Sequence, residues 1–228
     1  MSILTQSGRA AIAASIKEQP IHLAWGSGDG NSGSSHKVEK IFTTDGKLTL
    51  DHHPIKDVKV TTGQIIYQPS IDYIVESSTG VIQRTENSSI VENSTVTIEY
   101  VQSTPPEPIN ATKLINEVGR RTADEVLFCK SDENGELITP SGRFRPSDVP
   151  TNNLFLKFTF DFTDAANQVI RELGVMVGTK VVEKLPPGQR YFEPQDIENP
   201  GILLVLEHTV PLIRTAATRE TFSFVVTF

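Results

Sequence analysis

Leu154-Phe155-Leu156-Lys157-Phe158-Thr159-Phe160-Asp161-Phe162 decides the fold class. Successive side chains of a strand point to opposite faces. Leu154, Leu156, Phe158, Phe160 and Phe162 therefore share one face, and Phe155, Lys157, Thr159 and Asp161 share the other. One apolar and one largely polar face describe a half-buried antiparallel strand. Residues 169–177, 202–206 and 221–228 repeat the same kind of element, and residues 163–168 read as a turn or a short helical step.

Working outward, Leu4 to Lys17 reads as a short helix capped by Thr5 or Ser7, with Ile12 and Ile16 on one face. Ile21 to Trp25 alternates as a strand and runs into a flexible loop, Gly26 to Ser35. Residues 55–60, 64–67, 72–75, 81–84 and 94–101 are short strands separated by turn signals, which predicts a small antiparallel sandwich or sheet. Thr104-Pro105-Pro106-Glu107-Pro108 is a stiff linker. Ala111 to Glu125 carries Leu114, Ile115 and Val118 at helical spacing and predicts a second helix, interrupted by Gly119. Residues 131–153 are rich in turn dipeptides and predict a long irregular contact loop. The expected class is α+β, mainly antiparallel β, with helices near 5–17 and 111–125.

Charge and motif content exclude several functions. The 228 residues hold 21 Lys and Arg against 28 Asp and Glu, a formal net charge of −7. Such a chain needs a basic patch to hold nucleic acid or anionic lipid, and the nearest approach is Arg143-Phe144-Arg145. Neither nucleic acid nor membrane is an expected partner. No run reaches the roughly 20 apolar residues of a membrane span. The alanine-rich start, broken by Arg9 and Lys17, is not a signal peptide, so synthesis in the cytosol is expected. Cys129 stands alone within Val126-Leu127-Phe128-Cys129 and is expected to be buried.

The glycine loop lacks the Gly-Lys-Ser/Thr of a phosphate loop. Asp51-His52-His53 offers metal-binding side chains, but adjacent strand residues diverge, and a surface turn is the expected reading. No Gly-x-Ser-x-Gly nucleophile turn is present. The sequence thus predicts no catalytic residues, no cofactor and no metal. Glu117, Arg120, Arg121, Arg171 and Glu172 read first as solvated ion pairs worth under ~1 kcal/mol, and second as charges that position the core or meet a partner. Trp25 and Phe155 are candidate interface anchors, although the core is the readier home for Trp25. The candidate partner contacts are Trp25, Asp29, Arg143, Phe144, Arg145 and Phe155.

Two segments together resemble the N-terminal attachment domain of phage tail-collar fibre proteins. The first is Leu4-Thr5-Gln6-Ser7-Gly8-Arg9-Ala10-Ala11-Ile12-Ala13 with Ile21-His22-Leu23-Ala24-Trp25-Gly26-Ser27-Gly28-Asp29-Gly30. The second is Ala111-Thr112-Lys113-Leu114-Ile115-Asn116-Glu117-Val118-Gly119-Arg120 with Ile170-Arg171-Glu172-Leu173-Gly174-Val175. The resemblance implies a discontinuous attachment-like core, residues 1–37 and 104–228, with an inserted β-sandwich-like module, residues 38–103. It implies a virion structural protein of a tailed phage: a baseplate or tail-fibre adaptor, assembled in the host cytoplasm and resident in the tail. Its expected partners are other tail, baseplate or fibre proteins and further copies of itself, as a homo-oligomer or symmetric ring. No continuation into a fibre shaft follows Phe228, which favours a standalone component. The alternatives are a neck or collar component and a host-glycan adhesin, with Tyr67, Tyr73 and Tyr100 of the insert as sugar-stacking candidates.

Overall fold

Thr5 opens the first element. Its hydroxyl accepts the Gly8 N–H at 3.2 Å and caps the helix α1 (Gln6–Lys17). The computed structural model describes residues 2–228, and beyond α1 it consists of strands, turns and one 3-10 turn, Pro194–Asp196. Two compact units result, Met1–Gly28 with Glu107–Phe228, and Asp29–Pro106.

After β1 (Ile21–Gly26) the chain leaves the first unit. The second unit holds β2 (Ser35–Ile41), β3 (Lys47–Thr49), β4 (Ile55–Thr62), β5 (Ile65–Ile66), β6 (Tyr73–Glu76), β7 (Val81–Arg84) and β8 (Thr95–Gln102). The first unit resumes with β9 (Glu117–Thr122), β10 (Glu125–Ser131), β11 (Leu137–Thr139), β12 (Gly142–Ser147), β13 (Asn153–Phe160) and β14 (Val169–Val177). It ends with β15 (Lys180–Val181), β16 (Tyr191–Phe192), β17 (Ile197–Asn199), β18 (Ile202–Ile213) and β19 (Glu220–Thr227). The fold is α+β and mainly antiparallel β, as the alternation around Phe158 predicts.

In the first unit one sheet runs β16-β9-β1-β14-β18 and the other β11-β12-β10-β13-β19. Their inward side chains share one apolar core: Leu23 and Trp25 of β1 and Val175 of β14 meet Leu156, Phe158 and Phe160 of β13. The Trp25 and Phe160 rings stack with centroids 3.5 Å apart and planes 9° from parallel. The second sheet buries its other face too. Cys129, Phe144 and Phe155 form a satellite core there with Leu127, Leu137 and Val225. Phe155 is thus buried although it stands opposite the main apolar face, and Phe162, expected to extend that face, lies beyond the strand and is exposed.

In the second unit, a sheet β2-β8-β4-β5 and a sheet β3-β7-β6 enclose their own core around Val60, Ile82 and Ile98. Tyr67, Tyr73 and Tyr100 are all buried within it, so their rings are not free to stack on sugars. The unit begins at Asp29, earlier than residue 38, because Ser35–Ile41 pairs along its whole length with β8.

Two sequence expectations fail in the first unit. Residues 111–125 form no helix: they run as an irregular strap to Asn116 and then as β9, with β10 starting at Glu125. Leu114 and Val118 satisfy helical spacing by coincidence, since Leu114 packs on Ala24 and Met176 while Val118 joins the main core. The Glu117–Arg120 pair survives without the helix, at 2.7 Å, because a bulge opposite Trp25/Gly26 shortens the step between them. Residues 131–153 are not irregular either. Leu137 to Thr139 pairs with Gly142 to Phe144 in a hairpin, and Thr139 Oγ1 donates to the Gly142 carbonyl at 3.2 Å.

Gly119 separates the two readings of residues 111–125. In a helix, alanine at 119 would stabilise by ~1 kcal/mol. In β9 a Cβ there would overlap the Tyr191 hydroxyl and lie 2.9 Å from the Phe192 carbonyl oxygen. Gly119→Ala is therefore expected to destabilise, by about 1–3 kcal/mol of overpacking, in urea unfolding.

Candidate functional site

The segments singled out by sequence meet in the first unit. Glu172, 1% exposed, accepts the Ile115 N–H at 3.1 Å. Ser27 N–H donates to the Asn116 carbonyl at 2.9 Å, and the Asn116 amide donates to the Ser27 hydroxyl at 2.6 Å. Glycine is required where these pieces touch. A Cβ on Gly26 would lie 2.6 Å from a Glu172 carboxylate oxygen, and one on Gly174 would lie 2.9 Å from Leu114. Trp25-Gly26-Ser27, Leu114-Ile115-Asn116 and Glu172-Leu173-Gly174 thus form one weld, which fastens the strap over the outer face of β1 and β14. His208 Nε2 lies 3.6 Å from Glu172, and the Glu107 carboxylate accepts the His208 N–H at 2.9 Å.

The remaining charges of this group are structural. Arg120, 1% exposed, donates to Thr179 Oγ1 and to the Pro200 carbonyl, both at 2.8 Å. Arg121 pairs with Asp164, whose carboxylate also accepts the Asp161 N–H at 2.7 Å. Arg214, absent from the sequence candidates, is fully buried. It donates to the Asp161 carbonyl at 2.7 Å and the Thr218 carbonyl at 3.0 Å, with its guanidinium 5.2 Å from the Trp25 ring. A lone arginine in Ile213-Arg214-Thr215 carries no spacing signal that would have marked it. The expectation of solvated pairs is corrected for Arg120 and Glu172, which are enclosed with specific partners.

Of the six contact candidates, three are core residues. Trp25, Phe144 and Phe155 are buried, so their rings are not available as exposed anchors. Asp29 ties the insert's first turn to its last strand, accepting from Asn31 N–H at 3.0 Å and the Gln102 amide at 3.1 Å. Arg143 and Arg145 project from the β11–β12 hairpin on the side away from Phe144, Arg145 within 3.5 Å of Asp132. Asp51, His52 and His53 lie on the surface, and no group of three or more metal-binding side chains gathers among the described residues.

One recess adjoins the satellite core. A groove of about 480 Å³ runs along β19, walled by the β11–β12 turn at Ile138 and Pro140 and by Glu207 and Thr209 of β18. Leu173, Phe222 and Phe224 form its apolar floor.

Residues 95–228, which include every strand of the first unit except β1, match the family described as baseplate wedge 3 tail fiber network component. The chain belongs to that family. No curated protein matches it. This baseplate wedge tail fiber network component is accordingly a structural protein of the phage baseplate and tail-fibre assembly, and its place is the virion tail.

Two titratable groups in the component report on burial. Burial, aided by the Arg120 charge, pushes His22 down to about 4. Burial also pushes the Cys129 thiol up to about 11. Below pH 6.5 the unfolded chain takes up a proton at His22 that the folded chain refuses until about pH 4, so stability falls as pH drops through that window. The loss amounts to about 3 kcal/mol. Urea unfolding between pH 7 and pH 4 is expected to show a pH slope for wild type that His22→Gln reduces by this amount; parallel curves would show that His22 titrates normally. Cys129 is expected to resist a disulfide reagent at pH 8 in the native protein and to react at once in denaturant.

Proposed function

We propose that the protein is an adaptor that attaches fibres to the baseplate, acting through protein contacts and not through catalysis. The observation that carries this reading is the weld of Gly26, Leu114, Glu172 and Gly174. The residues resembling tail-collar attachment domains are the ones that fasten β1, the strap and β14 together. A scaffold fastened in this way suits a protein whose output is position. Family membership as a tail fiber network component supports the same role. Work in several symmetric copies, with other tail proteins as neighbours, fits the closed symmetry of tail assemblies. The glycan-binding alternative loses its sugar-stacking candidates to the core of the insert.

Mass spectrometry of purified tail particles, with immunogold labelling, tests the adaptor reading. Label at the distal end of the tail, where fibres join the baseplate, is the expected result. Label at the neck would move the role to a collar and refute the fibre-baseplate adaptor.

A further inference from the structure

The free edge of β19 has a polarity that the pairing fixes. Phe228 N–H donates to the Asn152 carbonyl at 2.9 Å, and Asn153 stands opposite Thr227. In an antiparallel ladder, bonded and non-bonded pairs alternate. Phe222, Phe224 and Val226 therefore direct their backbone groups to β13, while Thr221, Ser223 and Val225 turn theirs toward the groove that they line.

Most other edges are guarded by a charge, a proline or shortness, and β5 and β11, which carry neither charge nor proline, are only two and three residues long. Along β18, Pro211 has no N–H to give, the His208 N–H is taken by Glu107, and the register breaks twice. Strand β2 carries Lys37, Glu39 and Lys40, β3 begins with Lys47, β6 ends with Glu76, and β16 is two residues long. β19 begins with Glu220, but its following seven residues, Thr221 to Thr227, have neither proline nor charge. Proteins use charges, proline and bulges to stop strangers pairing with a sheet edge. An edge stretch that lacks all three is an acceptor for strand addition.

We propose that β19 accepts one extended segment from a neighbouring tail protein, which pairs with Thr221, Ser223 and Val225. The segment would set small or branched apolar side chains on Leu173, Phe222 and Phe224 and a basic side chain beside Glu207. The groove's walls select a lone strand, because the edge of a second copy's folded sheet would bring its neighbouring strands against Pro140 and Thr209. Charge selects the same way. Glu207 is exposed and has no ion pair among the described residues, and a second copy's β19 offers no basic residue between 221 and 227 to meet it, while the Arg219 that precedes the strand is already paired with Asp161. The inference rests on the baseplate reading for the source of the segment.

The test uses the full chain and a designed peptide, acetylated and amidated Thr-Val-Thr-Lys-Thr-Val-Thr-Val, whose lysine shares the valine face because Glu207 stands opposite Leu173 and faces the same way. The peptide is expected to slow amide exchange at Thr221, Ser223 and Val225 at least tenfold. Ser223→Pro removes a groove-facing N–H without touching the ladder to β13, and is expected to weaken peptide binding at least tenfold while Ser223→Ala leaves it intact. Glu207→Lys should weaken binding, and a peptide with Glu in place of Lys should restore it. Equal binding to Ser223→Pro and wild type, or unchanged exchange in wild type, overturns the proposal; should the proline variant not fold, the wild-type exchange decides alone. Self-association of wild type in sedimentation, abolished by Ser223→Pro, would make a second copy the occupant and overturn it too. In tail particles, protection of the same amides is expected. A particle that contains the chain but leaves them unprotected overturns the slot and spares the adaptor reading, whereas absence of the chain from the particle, with peptide protection intact, overturns the tail partner and spares the slot.

Discussion

Strand β1 leaves no face to water: all six of its residues are buried, so each face needs a cover that the rest of the chain must supply. The inner face receives the second sheet through Leu23 and the Trp25–Phe160 stack, and such aromatic pairs add about 0.5–1.5 kcal/mol beyond the area they bury. The outer face is more demanding. It presents Ala24 and Gly26, side chains too small to fill space themselves, and Leu114 of the strap fills it instead. Both neighbours of β1 lie far along the chain, since Ile21 faces Val177 and His22 faces Thr122. The first strand made is thus completed only by the last third of the sequence, the kind of non-local pairing that slows folding.

The buried charges follow from the same constraint. An irregular strap or turn carries backbone groups that no neighbouring strand can satisfy, and an unpaired buried group costs about 1–3 kcal/mol. Glu172 serves the strap at Ile115, Arg214 the turn at Asp161 and Asp164, and Arg120 the approach of Pro200. Each reaches irregular backbone from a strand or its end. Replacing such a set with apolar residues is often neutral for stability, whereas removing one partner typically costs about 3–5 kcal/mol. Their value here is in fixing which loop lies where.

The alternation of residues 154–160 was legible because every second residue from Leu154 is apolar, and the strands at 169–177, 202–206 and 221–228 were legible as short runs rich in apolar and β-branched residues. Residues 111–125 misled because a strap that buries Leu114 alone and a bulged strand that buries Val118 mimic a period of 3.6. Gly119 was the discordant letter, and its reason lies in Tyr191, seventy-odd positions away, where no local reading looks. The hairpin at 137–147 was hidden by turn residues at both ends, although Arg143-Phe144-Arg145 alternates in miniature. At the candidate site, the sequence singled out Glu172 and Arg120 but not their burial. Charge spacing is the same for a solvated pair and an enclosed one, and only the distant partners Ile115, Thr179 and Pro200 distinguish them.

Burial of Trp25, Phe144 and Phe155 changes the kind of recognition open to a network component. Interfaces built on aromatic anchors need those rings at the surface, and this chain keeps these three for its own cores. Beside exposed side chains such as Ile138 and Phe162, the first unit exposes strand-edge backbone, and it does so selectively. Pro211 shows that its edge strands tolerate a blocking residue, since β18 holds one and still pairs along β14. A blocker at an odd-numbered position of β19 would cost little more, because those residues make no bonds to β13. Folding alone therefore gives no reason for the absence of proline and charge from residues 221–227.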